Sequence, residues 1–359
     1  MSIGASRHLG SLAPAATAQT AWLRRPLIWL DAARVAAALA IVWIHAPQSP
    51  TGQSSTHWAR FAVPFFVATS LLLVFQTVFK NPARPLAEYV KSRIHRLYLP
   101  FLAWSGVYLA FKGVKCVVLP NQPNDFPGWE VFVVGGAYHL WFLPYLLIAS
   151  VVTFLAARIA TISVGWQWAV AAVGVGLGCV IAALAPASWP TSRYDALYFM
   201  LATTPAAFWA WAAAIIYQRS QHLAQPSSLP TMNHVESTPS AAEIFALCAS
   251  GLVFIVSCVS LQYAGRQVWL ENVAGIAAVA WTMVPVAPHW ASRAKAWAEL
   301  SFGVYLGHLL FIKIVEAVFG KLQVSSTVAT DVATWAVAVV GATLLAYVCH
   351  RTSWARWLL

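Results

Sequence analysis

Apolar residues gather along this chain into ten runs of 16 to 23 residues, separated by short breaks rich in polar residues, Pro and Gly. A helix needs about 20 apolar residues to cross about 30 Å of hydrocarbon. The runs at 27–46, 60–79, 97–112, 138–157, 162–184, 196–218, 241–262, 270–287, 298–319 and 328–349 therefore predict ten transmembrane helices. The third is short, its start blurred by the basic run before it, and the seventh and eighth are separated by a tight turn around Gly265. No fixed period repeats along the chain, and no matching pair of interrupted helices divides it into halves. Both facts weaken an inverted-repeat transporter reading.

Lys and Arg set the orientation, because they concentrate on the cytoplasmic side. With a cytoplasmic N-terminus, fourteen of the 22 fall in cytoplasmic segments and seven outside, leaving Arg34 within a span. Both termini are thus expected in the cytoplasm. Residues 1–26 form a cytoplasmic tail, 27–350 the membrane domain and 351–359 a short cytoplasmic end, with a flexible cytoplasmic linker at 218–240 rich in Ser, Pro, Gln and His. The tail, with Arg7, Arg24 and Arg25 and no acid, also has the composition of a transit peptide. A cleaved signal sequence is not expected, since the apolar run that follows contains Asp31 and Arg34.

Composition agrees with an all-α polytopic membrane protein. Of 359 residues, 60% are hydrophobic and 9% charged, against roughly 25% charged in soluble domains. The net charge of +11 then records topology and contact with anionic membrane lipid; no nucleic-acid module accompanies it. Five scattered cysteines without a C-x-x-C pair point to neither a disulfide framework nor a structural zinc site, and no metal is expected.

The first run carries a charge problem. Asp31, Arg34 and His45 lie within it, and ionisable groups in hydrocarbon cost several kcal/mol each, which marks them as functional candidates. Arg34 and His45 are eleven residues apart. That spacing returns them to within about 20° of one helix face, about 16 Å apart along the axis. Asp31 lies one turn from Arg34, where it can hold the guanidinium; at about 21 Å it cannot orient His45.

Three further clusters bear chemistry. Lys91, Arg93 and Arg96 stand where the third span leaves the cytoplasm, and arginine forks suit phosphate. Ordinary positive-inside charge would look the same. The fourth span opens with Tyr138-His139-Leu140-Trp141-Phe142-Leu143-Pro144, which puts His139 at the outer face, level with His45. The pair suits acid–base work or substrate binding, and an interfacial histidine among belt aromatics would also fit. The ninth span contains Ser301-Phe302-Gly303-Val304-Tyr305-Leu306-Gly307-His308, with His308 near mid-membrane and Tyr305 one turn before it. A hydrogen-bonded packing role for His308 is equally open. His57, His95, His222, His234, His289 and His350 fall in loops or at span ends and are read as structural.

Leu30-Asp31-Ala32-Ala33-Arg34 continuing to His45, the run Arg93-Ile-His-Arg96-Leu-Tyr-Leu-Pro100, His139-Leu-Trp141-Phe142-Leu-Pro144 and the Ser301–His308 segment together resemble the acyltransferase-3 family of integral-membrane O-acyltransferases. The resemblance spans nearly the whole chain, in the expected order. It implies transfer of an acyl group, usually acetyl, from cytoplasmic acyl-coenzyme A to a hydroxyl of an extracytoplasmic or lipid-linked polysaccharide. Arg34 and His45 match the family's Arg-x10-His motif, and Arg93 and Arg96 its R-x-x-R motif at the coenzyme side. Gly307 stands where a larger apolar residue is expected.

Some members carry a C-terminal hydrolase-like domain that completes the transfer. Only ten residues follow the last span here, so direct transfer within the membrane domain is expected. The catalytic set is then His45, Arg34 and His139. Arg93, Arg96 and Arg34 hold acetyl-coenzyme A, and Asp31, Trp141, Tyr305 and His308 support them. A multi-pass protein of the cell inner membrane acting in exopolysaccharide decoration follows by analogy. The rival reading is a transporter or flippase for a glycan or anionic solute, using the same intramembrane charges as a permeation site.

Overall fold

A computed structural model of the chain describes residues 28–118, 126, 128–185, 195–223, 241–264, 267–283, 291–352, 355 and 358. Each expected span falls on one helix: α1 Ile28–His45, α2 Ala62–Lys80, α3 Leu99–Val118, α4 Phe142–Ala160, α5 Val164–Leu184, α6 Asp195–Leu223, α7 Ala241–Ala264, α8 Val268–Thr282, α9 Ala291–Lys321 and α10 Val328–Arg351. No strand occurs among the described residues. The chain is an all-α polytopic membrane protein. Among the described residues eight helical stretches are long and apolar enough to cross a membrane, while α8, with 15 residues, is shorter. Helix α6 continues through 218–223; the rest of the expected linker, the N-terminal tail and the turn around Gly265 lie outside the described residues.

Burial divides the bundle. The most apolar stretch of α2 is 67% buried and that of α7 only 17%, so α2 belongs to the interior and α7 to the lipid-facing rim. A helix hydrophobic all round can occupy either place. Phe65, Leu71 and Phe75 of α2 share one buried core with Leu143 and Phe154 of α4, Ile215 of α6 and Leu306 of α9. Helix α1 packs along α9. Its buried Ala37, Ala38 and Ala40 suit such packing, since lipid supplies no hydrophobic drive and close backbone approach must supply the attraction.

Two polar joints lock this bundle. In α6, Pro205 interrupts the helix ladder. There the Asn272 side chain of α8 inserts between backbone groups that would otherwise pair: its Oδ1 accepts from Ala206 N at 2.8 Å, and its Nδ2 donates to Ala202 O at 2.7 Å. Asn272 is fully buried. Backbone groups freed by proline in a membrane must find such partners.

The second joint fixes the segment after His45. Asp331, buried in the first turns of α10, accepts from Gln48 N at 2.8 Å, from Ser49 N at 3.3 Å and from the Ser49 hydroxyl. Gln48 Nε2 also donates to Glu316 Oε1 of α9 at 3.0 Å. The segment that follows the His45 end of α1 is therefore bound to both α9 and α10.

Replacing Asp331 by Ala leaves buried donors without acceptors, each worth about 1–3 kcal/mol. Asp331→Ala is expected to lower the Tm of the detergent-solubilised protein by several degrees. An unchanged Tm would show that the joint bears no load.

Candidate active site

Three histidines converge where α1, the turn before α4 and α9 meet. His45 is the last residue of α1. His139 lies on the 3₁₀ turn Tyr138–Trp141 that starts α4, and His308 lies on α9. The His45 and His308 rings stack with centroids 5.4 Å apart and planes 21° apart; His139 meets His308 edge-on at 5.0 Å. His308 is fully buried, His139 nearly so, and His45 half-buried.

Hydrogen bonds hold the cluster. The Tyr138 hydroxyl lies 2.9 Å from His45 Nδ1. His308 Nδ1 lies 2.6 Å from the Tyr305 carbonyl. A carbonyl only accepts, so that contact puts the proton of a neutral His308 on Nδ1 and leaves Nε2 with a lone pair. The Tyr305 hydroxyl donates to the backbone carbonyl of His139, joining α9 to the turn. From α3, the Tyr108 hydroxyl donates to Leu306 O at 2.7 Å and its ring meets His139 edge-on at 5.4 Å. Both ring nitrogens of His139 and Nε2 of His308 are buried without hydrogen-bond partners. Unsatisfied buried polar atoms call for a functional explanation.

Local sequence explains how the turn reaches its place. Gly135 adopts φ 93°, which side chains disfavour, and Gly136 presses on α3: a Cβ there would strike the Ser105 backbone. The glycine pair thus lets Tyr138 and His139 approach α1 and α9. Gly307 has a similar cause, because a Cβ there would come within 3.3 Å of the Trp104 ring. The small residue makes room for a tryptophan of α3.

Depth is where the structure departs from expectation. Helix α9 starts at Ala291 and runs thirteen residues past His308, about 20 Å of helix. His45 ends an 18-residue helix at the level of His308. The pair is therefore recessed within the bundle; His45 does not stand at the outer end expected of it. The run 27–46 looks like a full span, but its last residue meets the middle of a longer neighbour.

A narrow cavity of about 70 Å³ opens on this cluster, lined by His45, His139, Tyr138, Trp141 and Tyr305, together with Arg60 from the turn His57–Phe61 and Glu271 of α8. At about 15 Å³ per water, it has room for about five waters. Trp141 stacks on Phe199 at 5.7 Å on its wall.

The expected arginines lie apart from this cavity. Arg34 pairs with Asp31 at 3.3 Å on α1, as the one-turn spacing implied. Arg93 Nε donates to the hydroxyl of buried Tyr89 at 3.0 Å, and its guanidinium lies 5.0 Å over that ring. Tyr89 in turn stacks on Phe154 of α4 at 4.3 Å. Arg96 is exposed and follows on a π turn, Ile94–Tyr98, joining the helix Leu86–Arg93 to α3. Such turns recur at functional positions.

A family model described as an acyltransferase domain matches residues 27–351. The chain belongs to the acyltransferase-3 family. Comparison with curated proteins and with solved structures gives no match. As an acyltransferase-3 protein it is a multi-pass membrane acyltransferase, and the match takes in all ten helices, the histidine cluster and both arginine sites.

Reading the acyltransferase-3 chain by sequence missed Tyr138, Tyr108, Arg60 and Glu271. Tyr138 had one available signal, its place beside His139 in a run expected level with His45. The others meet the cluster only through tertiary packing.

The Tyr138 bond predicts that Tyr138→Phe slows acyl transfer about three- to tenfold, the equivalent of a hydrogen bond of about 1 kcal/mol. The test is kcat in detergent-solubilised protein; an unchanged kcat would show that the bond does not orient His45.

Proposed function

We propose that this protein transfers an acetyl or similarly small acyl group from cytoplasmic acyl-coenzyme A to a hydroxyl of an extracytoplasmic or lipid-linked polysaccharide. The observation that carries the reading is the position of His45. Its Nδ1 is held by Tyr138, its ring lines the narrow cavity, and Arg34 stands eleven residues away on the same helix.

In the tautomer where Nδ1 donates to the Tyr138 oxygen, Nε2 keeps its lone pair. His45 then acts as general base, taking the proton of the acceptor hydroxyl as that oxygen attacks the thioester carbonyl. A positioned base of this kind contributes about 10²–10⁴ in rate. His139, with ring nitrogens free of other bonds, lies beside it and can hydrogen-bond the acceptor hydroxyl. The cavity volume favours a small acyl group over a long chain.

Arg93, Arg96 and Arg34 receive the coenzyme phosphates on the cytoplasmic side. Arg93 suits this because Tyr89 already holds its stem and Nε while the rest of the fork stays half-buried. With both termini in the cytoplasm and the protein in the cell inner membrane, the bundle carries the acyl group from an inner donor to an outer acceptor.

Membranes containing the protein are expected to move labelled acetyl from acetyl-coenzyme A to surface glycan. His45→Ala should abolish this at unchanged protein level. Full transfer by His45→Ala, or solute transport without any acyl donor, would overturn the reading.

Arg93→Ala and Arg96→Ala are expected to raise KM for acetyl-coenzyme A with kcat little changed. A fall in kcat alone would remove both residues from the donor site.

A further inference from the structure

We propose that Arg60 is a catalytic residue of the acyl-transfer step, its guanidinium facing the carbonyl oxygen of the donor and stabilising the negative charge that develops there. The inference rests on His45 as the base and assigns the opposite side of the same reacting carbonyl.

Arg60 is carried by a tight turn that the fold holds firmly. Ala59 is fully buried, and the Phe61 ring packs edge-on against Phe254 of α7 at 4.9 Å. The side chain lines the same cavity of about 70 Å³ as His45 and His139. A group bound in this cavity thus meets the base from α1 and the guanidinium from the turn.

The Arg60 Nε atom is buried with no hydrogen-bond partner. A buried N–H with no acceptor is a cost that a bound ligand would relieve. Nothing in positive-inside charge requires such an arrangement.

The three hydroxyls on the wall are already engaged. Tyr138 meets His45, Tyr305 donates to the His139 carbonyl, and Thr203 donates to Phe199 O and Met200 O. Arg60 thus brings a permanent positive charge and an uncommitted N–H to the place where acyl transfer makes an oxyanion. Donors preorganised for developing charge in a water-poor site give large rate effects.

The step balances without any further reactant. The acceptor oxygen bonds to the carbonyl carbon while its proton passes to His45 Nε2, and the carbonyl π pair moves onto oxygen, opposite Arg60. When that pair returns, the carbon–sulfur bond breaks and the coenzyme leaves as thiolate, which takes the proton from His45.

The test uses full-length protein in its own membranes, with labelled acetyl-coenzyme A as donor and the membranes' glycan as acceptor. Arg60→Ala is expected to lower kcat about 10²–10³-fold, with KM for acetyl-coenzyme A within about threefold of the parent. Arg60→Lys should retain more activity than Arg60→Gln. Added guanidinium chloride, at concentrations that leave the parent unaffected, should partly restore Arg60→Ala and leave His45→Ala inactive.

An unchanged kcat for Arg60→Ala would overturn the assignment. So would a rise confined to KM for the acceptor, which would make Arg60 a binding site for an anionic acceptor. Loss of activity without guanidinium rescue and with a lowered Tm would make it a structural cation. If His45→Ala is inactive while Arg60→Ala is normal, only this assignment fails; if His45→Ala is fully active, the acyl-transfer reading fails with it.

Discussion

Polar groups in a bundle this apolar must satisfy one another, and the ring cluster shows how few partners there are. The carbonyl of Tyr305 holds His308, the hydroxyl of Tyr305 holds the backbone of His139, and the Tyr108 hydroxyl holds Leu306 between them. The first bond lies within α9, the second ties α9 to the turn before α4 and the third ties α3 to α9, so these elements are registered by the same contacts that orient the imidazoles. His45 joins from α1 through Tyr138. The site and the bundle core are one construction, and a change in one side chain is felt as a shift of helices.

This explains how chemistry can survive in such an environment. An imidazole in hydrocarbon is uncharged unless partnered, which is the state a general base requires. Histidines with unpaired nitrogens would be a defect in a purely structural core. Here those atoms stand beside a small cavity that also receives Arg60 and Glu271, so the unsatisfied valences are gathered where a reactant can use them.

The helices were legible because membrane spans announce themselves by length and apolarity; each of the ten runs corresponds to a helix. The Asp31–Arg34 pair was legible too, being set by one turn of helix. The partner of His45 was not. Spacing along one helix says which residues share its face but not which neighbouring helix presents a hydroxyl to them. Depth failed for a related reason: His45 appeared terminal because α1 ends there, whereas its level is set by α9, whose extra turns are visible only once the two are packed. Arg60 carried no signal along the chain, because only packing brings its turn to the cavity.

The junction of α6 and α8 has a consequence for how the site can change shape. Ala202 and Thr203 line the cavity within a turn of Pro205, beside the point where Asn272 replaces the helix's own ladder. An unbroken helix resists bending because its hydrogen bonds must stretch together. Here one rung has been exchanged for a side-chain amide, which can follow a small rotation without abandoning either backbone group. The α1 wall is pinned by Asp331 through Gln48 and Ser49 just past His45, so widening for a substrate larger than the resting cavity falls to this softer side. The bundle then behaves as a vice with one fixed jaw and one sprung jaw, and the sprung one is built from a proline and an asparagine.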